Sequence, residues 1–114
     1  MSKQSGPRLT LSMELVLRTL LEKPTEEMYG QQICAAAGLP SGTIHPILAR
    51  LEGMHWAVSR WEDDATAHAE GHPRRRYYRL TEDGAEHARI TLAQATKAAS
   101  TLARLRTRPQ GGMA

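Results

Sequence analysis

Between two apolar-periodic stretches the chain leaves room for a turn and nothing more. Tyr29, Ile33, Ala36 and Ala37 mark one helical face, and Ile44, Ile47, Leu48 and Leu51 mark the next. With Ser41 opening the second of these helices, only Gly38, Leu39 and Pro40 lie between the two. Gly38 takes a left-handed conformation without steric penalty and so stops the first of these helices. Leu39 can then fold back on Ile33 and Cys34, and Ser41 is a side-chain cap for the helix that follows. Two helices joined by so short a glycine-containing turn are the signature of a helix-turn-helix.

The surrounding pattern completes the unit. Met13, Val16, Leu17, Leu20 and Leu21 recur at helical spacing and predict a first helix ending before Pro24. Thr25, followed by Glu26 and Glu27, is expected to cap the second helix. Trp56 to Glu62 reads as a strand, Asp63 to Pro73 as a polar loop, and Arg75 to Leu80 as a second strand. Thr81 caps a last helix running to about Arg106. The expected fold is mainly α: a winged helix-turn-helix of three helices and a two-stranded β-hairpin wing, with a long C-terminal dimerisation helix. The expected organisation is a flexible arm at 1–8, a DNA-binding domain at 9–80, the dimerisation helix at 81–106 and a disordered tail at 107–114.

Composition narrows the setting. With 114 residues the chain holds one small domain, and without Phe its core must come from Leu, Ile, Val, Met and Ala. The net charge of +3 points weakly to a polyanionic partner. A single cysteine, Cys34, excludes an intrachain disulfide and fits a reducing compartment. No apolar run reaches membrane-spanning length and no secretion signal opens the chain, so a cytoplasmic protein is expected.

With its apolar stripe inward, the third helix turns Gly42, Thr43, His45, Pro46, Ala49 and Arg50 outward. Small residues let a helix approach a groove wall. Thr43 can touch a thymine methyl, and Arg50 can read guanine or hold a phosphate. The run Arg74-Arg75-Arg76 then precedes Tyr77-Tyr78-Arg79. Strand alternation puts Arg75, Tyr77 and Arg79 on one face, with Tyr78 and Leu80 on the other, toward the core. Arginines at the base of a wing can neutralise phosphates, which sets register without reading sequence. An ordinary solvent-facing helix side and a solvated charge run are the plain alternatives.

Ala85, Ala88, Leu92, Ala95, Ala99 and Leu102 repeat at spacings of three and four and form a heptad-like seam. They are the expected dimer contact, with modest burial at each alanine. Cys34 reads as a small buried hydrophobe. His68 and His72, four apart with Glu70 between them, are a weak metal pattern in a loop, and no metal or cofactor is expected. Trp56 and Trp61 read as packing for the hairpin. No phosphate loop, nucleophile elbow or paired acids stand out, so no catalytic residues are expected and the chain is not read as an enzyme.

Taken together the motifs resemble the PadR family of regulators. The matching pieces are Tyr29-Gly30, Gly42-Thr43-Ile44-His45-Pro46 with Leu48, Arg50-Leu51-Glu52 and Ser59-Arg60-Trp61-Glu62. The run from Gly71 through Arg74-Arg75-Arg76-Tyr77-Tyr78-Arg79-Leu80-Thr81, with Gly84, completes the set. The resemblance implies a dimeric winged-helix repressor whose last helix makes much of the dimer contact, and whose members often answer to small aromatic or drug-like effectors. It places Tyr29, Thr43, Arg50 and the Arg74, Arg75, Arg76 run near double-stranded DNA. Ser41 and His45 complete the expected DNA-binding set. His45 stands where the family usually has Tyr, and His55 where it usually has a helix-ending Gly. The reading is a sequence-specific repressor that binds an inverted-repeat operator as a homodimer. A winged-helix protein-interaction module is the alternative.

Overall fold

The computed structural model describes residues 9–107. The expected arm at 1–8 and all but the first residue of the expected tail lie outside the described residues. The first helix, α1 (Leu11–Glu22), is capped by Thr10, whose Oγ1 accepts the Met13 N–H at 3.1 Å. Met13, Val16, Leu17 and Leu20 share its buried face.

After Pro24 the structure departs from the expectation. Thr25 opens no helix. Met28–Tyr29 form a short strand, β1, and α2 (Gly30–Ala37) begins only after it. The two strand residues pair with Tyr78 and Tyr77, and Met28 packs against the core. Those gains replace the helical turn that a Thr25 cap would have started. The cap falls instead to Tyr29, whose N–H donates to Gln32 Oε1 at 3.1 Å.

The turn itself is as expected. Gly38 closes α2 at φ 72°, and the N–H groups of Gly38 and Leu39 both donate to the Cys34 carbonyl, at 2.9 and 3.1 Å. Helix α3 (Ser41–Gly53) follows. Ser41 is not its cap. Pro40 holds that position, its carbonyl accepting the Thr43 and Ile44 N–H groups at 3.0 and 3.1 Å, and Ser41 lies exposed in the first turn. Ile44, Leu48 and Leu51 are fully buried. The helix ends on a left-handed His55 (φ 64°), which lets the Trp56 N–H return to the Leu51 carbonyl at 2.9 Å. Histidine thus occupies a conformation in which glycine is the easier residue.

The wing holds more structure than a hairpin with a loop. Strand β2 (Ala57–Trp61) leads into a helix, α4 (Asp64–Glu70), and then into β3 (Arg76–Leu80). The stretch expected as a loop is helical because its ends are capped. Asp63 accepts the Thr66 N–H at 2.7 Å and its hydroxyl at 3.0 Å, and Gly71 closes the helix at φ 74°. Ala65, Ala67 and Ala69 favour the helix between them. The sheet is three-stranded and antiparallel in the order β1-β3-β2, not two-stranded. Tyr78 and Leu80 of the central strand are buried, as alternation predicts.

Helix α5 (Glu82–Thr107) begins at a tight junction. The Thr81 N–H donates to the Trp56 carbonyl at 2.9 Å, and its hydroxyl donates to the His55 carbonyl at 2.9 Å. The same hydroxyl oxygen accepts the Gly84 N–H at 2.8 Å and so caps the helix. Ala85, Ala88 and Leu92 belong to the chain's own core. That corrects the expected seam: these three are spent within the chain, and only the later turns project from it. The result is a winged helix-turn-helix with a long C-terminal helix that stretches the molecule to 70 Å in its longest dimension.

Gly84 has no room for a side chain, because a Cβ there would collide with the Trp56 backbone carbonyl. Gly84→Ala is expected to destabilise by about 1–3 kcal/mol through overpacking against backbone. Gly53→Ala, where a Cβ meets nothing within 4 Å, should leave thermal unfolding unchanged or slightly raised. Denaturation of the two variants side by side checks the contrast.

Candidate nucleic-acid interface

Three elements converge at the start of α2. A Cβ on Gly30 would stand 3.4 Å from the His45 ring, an ordinary contact distance, so the opening of α2 lies beside the first turns of α3. On the other side, Tyr29, Gly30 and Gln31 share an open cleft of about 250 Å³ with His72, Pro73, Arg74, Arg75 and Arg76. The opening of α2 therefore joins the exposed face of α3 to the root of the wing.

The exposed face of α3 carries Ser41, Gly42, His45, Pro46, Ala49 and Arg50, with Thr43 half-buried at its edge. Arg50 makes no ion pair or side-chain hydrogen bond among the described residues, so its guanidinium is free. Pro46 removes one helical N–H on this exposed side, where the orphaned carbonyl of Gly42 can meet water.

The three wing arginines differ. Arg75 lies over the Tyr29 ring at 4.1 Å and forms no ion pair among the described residues. Arg74 donates to the Glu62 carbonyl at 2.8 Å and meets Asp64 at 3.2 Å. Arg76 donates to Ser59 Oγ at 2.9 Å and reaches Glu52 at 3.4 Å, while Ser59 itself donates to Glu52 at 2.6 Å. Arg76 therefore ties the sheet to the end of α3. Arg74 and Arg76 both lie against Trp61, at 5.5 and 5.4 Å, and that ring is 52% exposed. Trp56 packs as expected; Trp61 does not.

On the outer sheet face a ladder of rings and cations runs from Arg75 to Arg60. Tyr29 meets Tyr77 edge-on at 5.7 Å, and Arg60 lies 5.0 Å over Tyr77. Arg60 also holds Glu27 at 2.7 Å, and this hydrogen-bonded guanidinium keeps the Glu27 carboxyl below the ordinary carboxylate range. Sequence reasoning passed over Arg60 and Gln31. Arg60 stands opposite Tyr77 in the ladder, a cross-strand pairing that emerges only with the register.

The sequence of residues 16–90 matches the family model described as the transcriptional regulator PadR-like family. The chain belongs to the PadR-like family. Solved structures agree. This PadR-like chain is similar to a PadR family transcriptional regulator from Eggerthella lenta DSM 2243, with 25% identity over 87% of each chain and a TM-score of 0.67. A PadR family regulator from Clostridium difficile R20291 matches at 22% identity over 82% of this chain and 96% of that one, with a TM-score of 0.65. A PadR-like regulator from Bacillus cereus ATCC 14579 matches at 19% over 86% and 92%, with a TM-score of 0.62. No curated protein matches the sequence. Members of the PadR-like family are transcriptional regulators rather than enzymes. No helix of the described residues is long and apolar enough to cross a membrane.

The two kinds of wing arginine should separate by experiment. Arg76→Ala removes two bonds between elements and is expected to cost about 1 kcal/mol of stability, discounted for its partial exposure. Arg75→Ala removes the stacking on Tyr29 and a bond to Tyr77 two residues along the same run, ties no separate element to α3, and should leave the unfolding midpoint nearly unchanged. Urea titration of both variants distinguishes them.

Proposed function

We propose that this PadR-like protein is a cytoplasmic, sequence-specific repressor that binds an inverted-repeat operator as a homodimer. The observation that carries the reading is the continuity of the surface. The nearness of Gly30 to the His45 ring and the stack of Arg75 on Tyr29 join the exposed face of α3 to the wing through one short segment. In this reading Thr43, His45 and Arg50 face base edges, with Ser41 at the helix entrance, while Tyr29, Arg74, Arg75 and Arg76 flank the phosphates. Arg74 and Arg76 also hold the wing's shape, while Arg75 and Arg50, which form no ion pair among the described residues, are the guanidinium groups offered most directly to DNA. Release by a small-molecule effector is part of the proposal by likeness to the family.

Dimerisation rests on the far part of α5. Ala95 is half-buried, Ala99 is exposed, and Leu102 and Leu105 are 50% and 62% exposed on a helix that has left the body of its own chain. Two such helices packed together would bury this stripe and set two copies of α3 on one side of a duplex.

The deciding experiment is a gel shift with the DNA upstream of the protein's own gene, against random-sequence competitor at physiological salt. Specific retention supports the reading; equal competition by random DNA returns the chain to the protein-interaction alternative. Arg50→Ala is expected to lose about 1–3 kcal/mol on the operator and much less on random DNA. Arg75→Ala should lower the slope of log affinity against log salt by about one unit. Sedimentation should give a dimer that Leu102→Glu combined with Leu105→Glu converts to monomer.

A further inference from the structure

His72 sits at the foot of the wing with oxygen acceptors against both ring nitrogens. Nε2 lies 2.9 Å from Glu70 Oε1. Nδ1 lies 2.7 Å from the Pro73 carbonyl and 3.5 Å from Glu62 Oε1. A neutral imidazole has one N–H and one lone pair, so on one side it would turn a lone pair toward oxygen. Only the imidazolium donates on both sides.

The charges around the ring favour that form. Glu62 faces it from the end of β2 and Glu70 from α4, while Arg75, leading into β3, opposes them. Arg74 is turned to Asp64 and the Glu62 carbonyl. Glu62 is only 5% exposed. Its carboxylate accepts the Arg75 N–H at 3.2 Å, yet among the described residues no Lys or Arg side chain pairs with it. His72 is the one cationic group within ion-pair distance of it there, with Arg60 and Arg75 acting from farther away. Glu62 in turn anchors the wing run, since its N–H donates to the Arg75 carbonyl at 2.7 Å and its own carbonyl holds Arg74.

We propose that protonated His72 is a latch: with its proton it fastens α4 to the root of the wing through Glu70 and Glu62, and without it α4 is released and the Arg74–Arg76 run loosens. Hydrogen bonds to the Pro73 carbonyl and the Glu70 carboxylate hold the ring's proton above its ordinary value of 6.5. The latch is therefore fully closed below that value and opens as pH rises through the higher native one. Its effect on DNA affinity, weaker binding on the alkaline side, rests on the DNA-binding reading above; the latch itself does not.

The test is amide hydrogen exchange of α4, corrected for intrinsic rate, with NMR titration of the His72 ring. Both run from about pH 5.5 to 8.5, the window in which imidazoles titrate, on the whole protein in EDTA so that no divalent metal competes with the proton for Glu62, Glu70 and His72. The ring should titrate above the ordinary histidine value. Protection of α4 should fall a few-fold in step with it while α1 protection holds. His72→Arg should stay protected across the range, and His72→Gln should be unprotected throughout. Flat wild-type protection, a ring that titrates at or below the ordinary value, or full protection in His72→Gln would each overturn the latch. Operator affinity followed over the same range then reports separately: failure to bind DNA with a normal α4 transition counts against the DNA-binding reading and leaves the latch intact.

Discussion

Gly84 lies against the backbone carbonyl of Trp56 at a distance no side chain permits, and much of the molecule's geometry follows from that contact. It brings the first turn of α5 onto the exit of α3, so that Thr81 can bind the His55 and Trp56 carbonyls and cap α5 with the same hydroxyl. Trp56 is fixed from both sides, buried in the core and stacked on His87 at 5.4 Å. β3 runs directly into this junction. The direction in which α5 leaves the body is therefore coupled to the register of the wing, and a change at either end is felt at the other. In the proposed dimer, where the spacing of two copies of α3 has to be set, such a rigid corner would serve.

The wing gets its stiffness from a different source. It is too small to have a core of its own, and Ala67 is its inserted helix's one buried residue. Its order comes from polar contacts: Asp63 capping α4, Glu62 bridging to the arginine run, Arg76 crossing to Glu52 and Ser59, and rings interleaved with guanidinium groups. Polar contacts near the surface are individually weak and respond to salt and pH. The body is held by apolar burial, which Ala57, Tyr78 and Leu80 of the wing strands share, and the rest of the wing by charge. The body should therefore tolerate changes of solution that alter the wing, and the wing is the part that meets the phosphates in the proposed complex.

What could be read from the sequence was what is local. Gly38 and Pro40 gave the turn, Thr81 gave the α5 cap, and alternation gave the buried side of β3, because each depends on residues within a few positions. β1 was missed because Met28 and Tyr29 are a strand only by virtue of Tyr78 and Tyr77, far along the chain. α4 was missed although Asp63 and Gly71 bracket it, because polar composition and histidines masked a short alanine-rich run. The basic run was read as one patch. Its division into an Arg75 held by rings and neighbours held by acidic residues or their backbone depends on Tyr29, Glu52, Glu62 and Asp64, which lie on other elements. His45 and Arg50 were correctly placed on the exposed side of α3, but the closeness of His45 to Gly30 belongs to the packing of α2 on α3.

Periodicity on α5 had the same kind of limit. A stripe at spacings of three and four says that one face avoids water; it does not say whose atoms cover it. The structure gives Ala85, Ala88 and Leu92 to the chain's own core, which leaves a short far segment of small and medium residues for a partner. Alanine removes little apolar area when buried, so that segment alone makes a weak seam. In the proposed dimer the rest of the surface has to come from elsewhere, and the exposed apolar residues nearest in kind are Leu11 at the head of α1 and Ile90 on α5, 71% and 50% exposed. Helix α1 already packs against α5, and Arg18 donates to Thr96 across that contact. A second chain that covered both helices would meet a surface prepared by the first chain's own packing. Pairing and folding of the body would then share residues, and operator DNA, by holding two copies in place, would favour both.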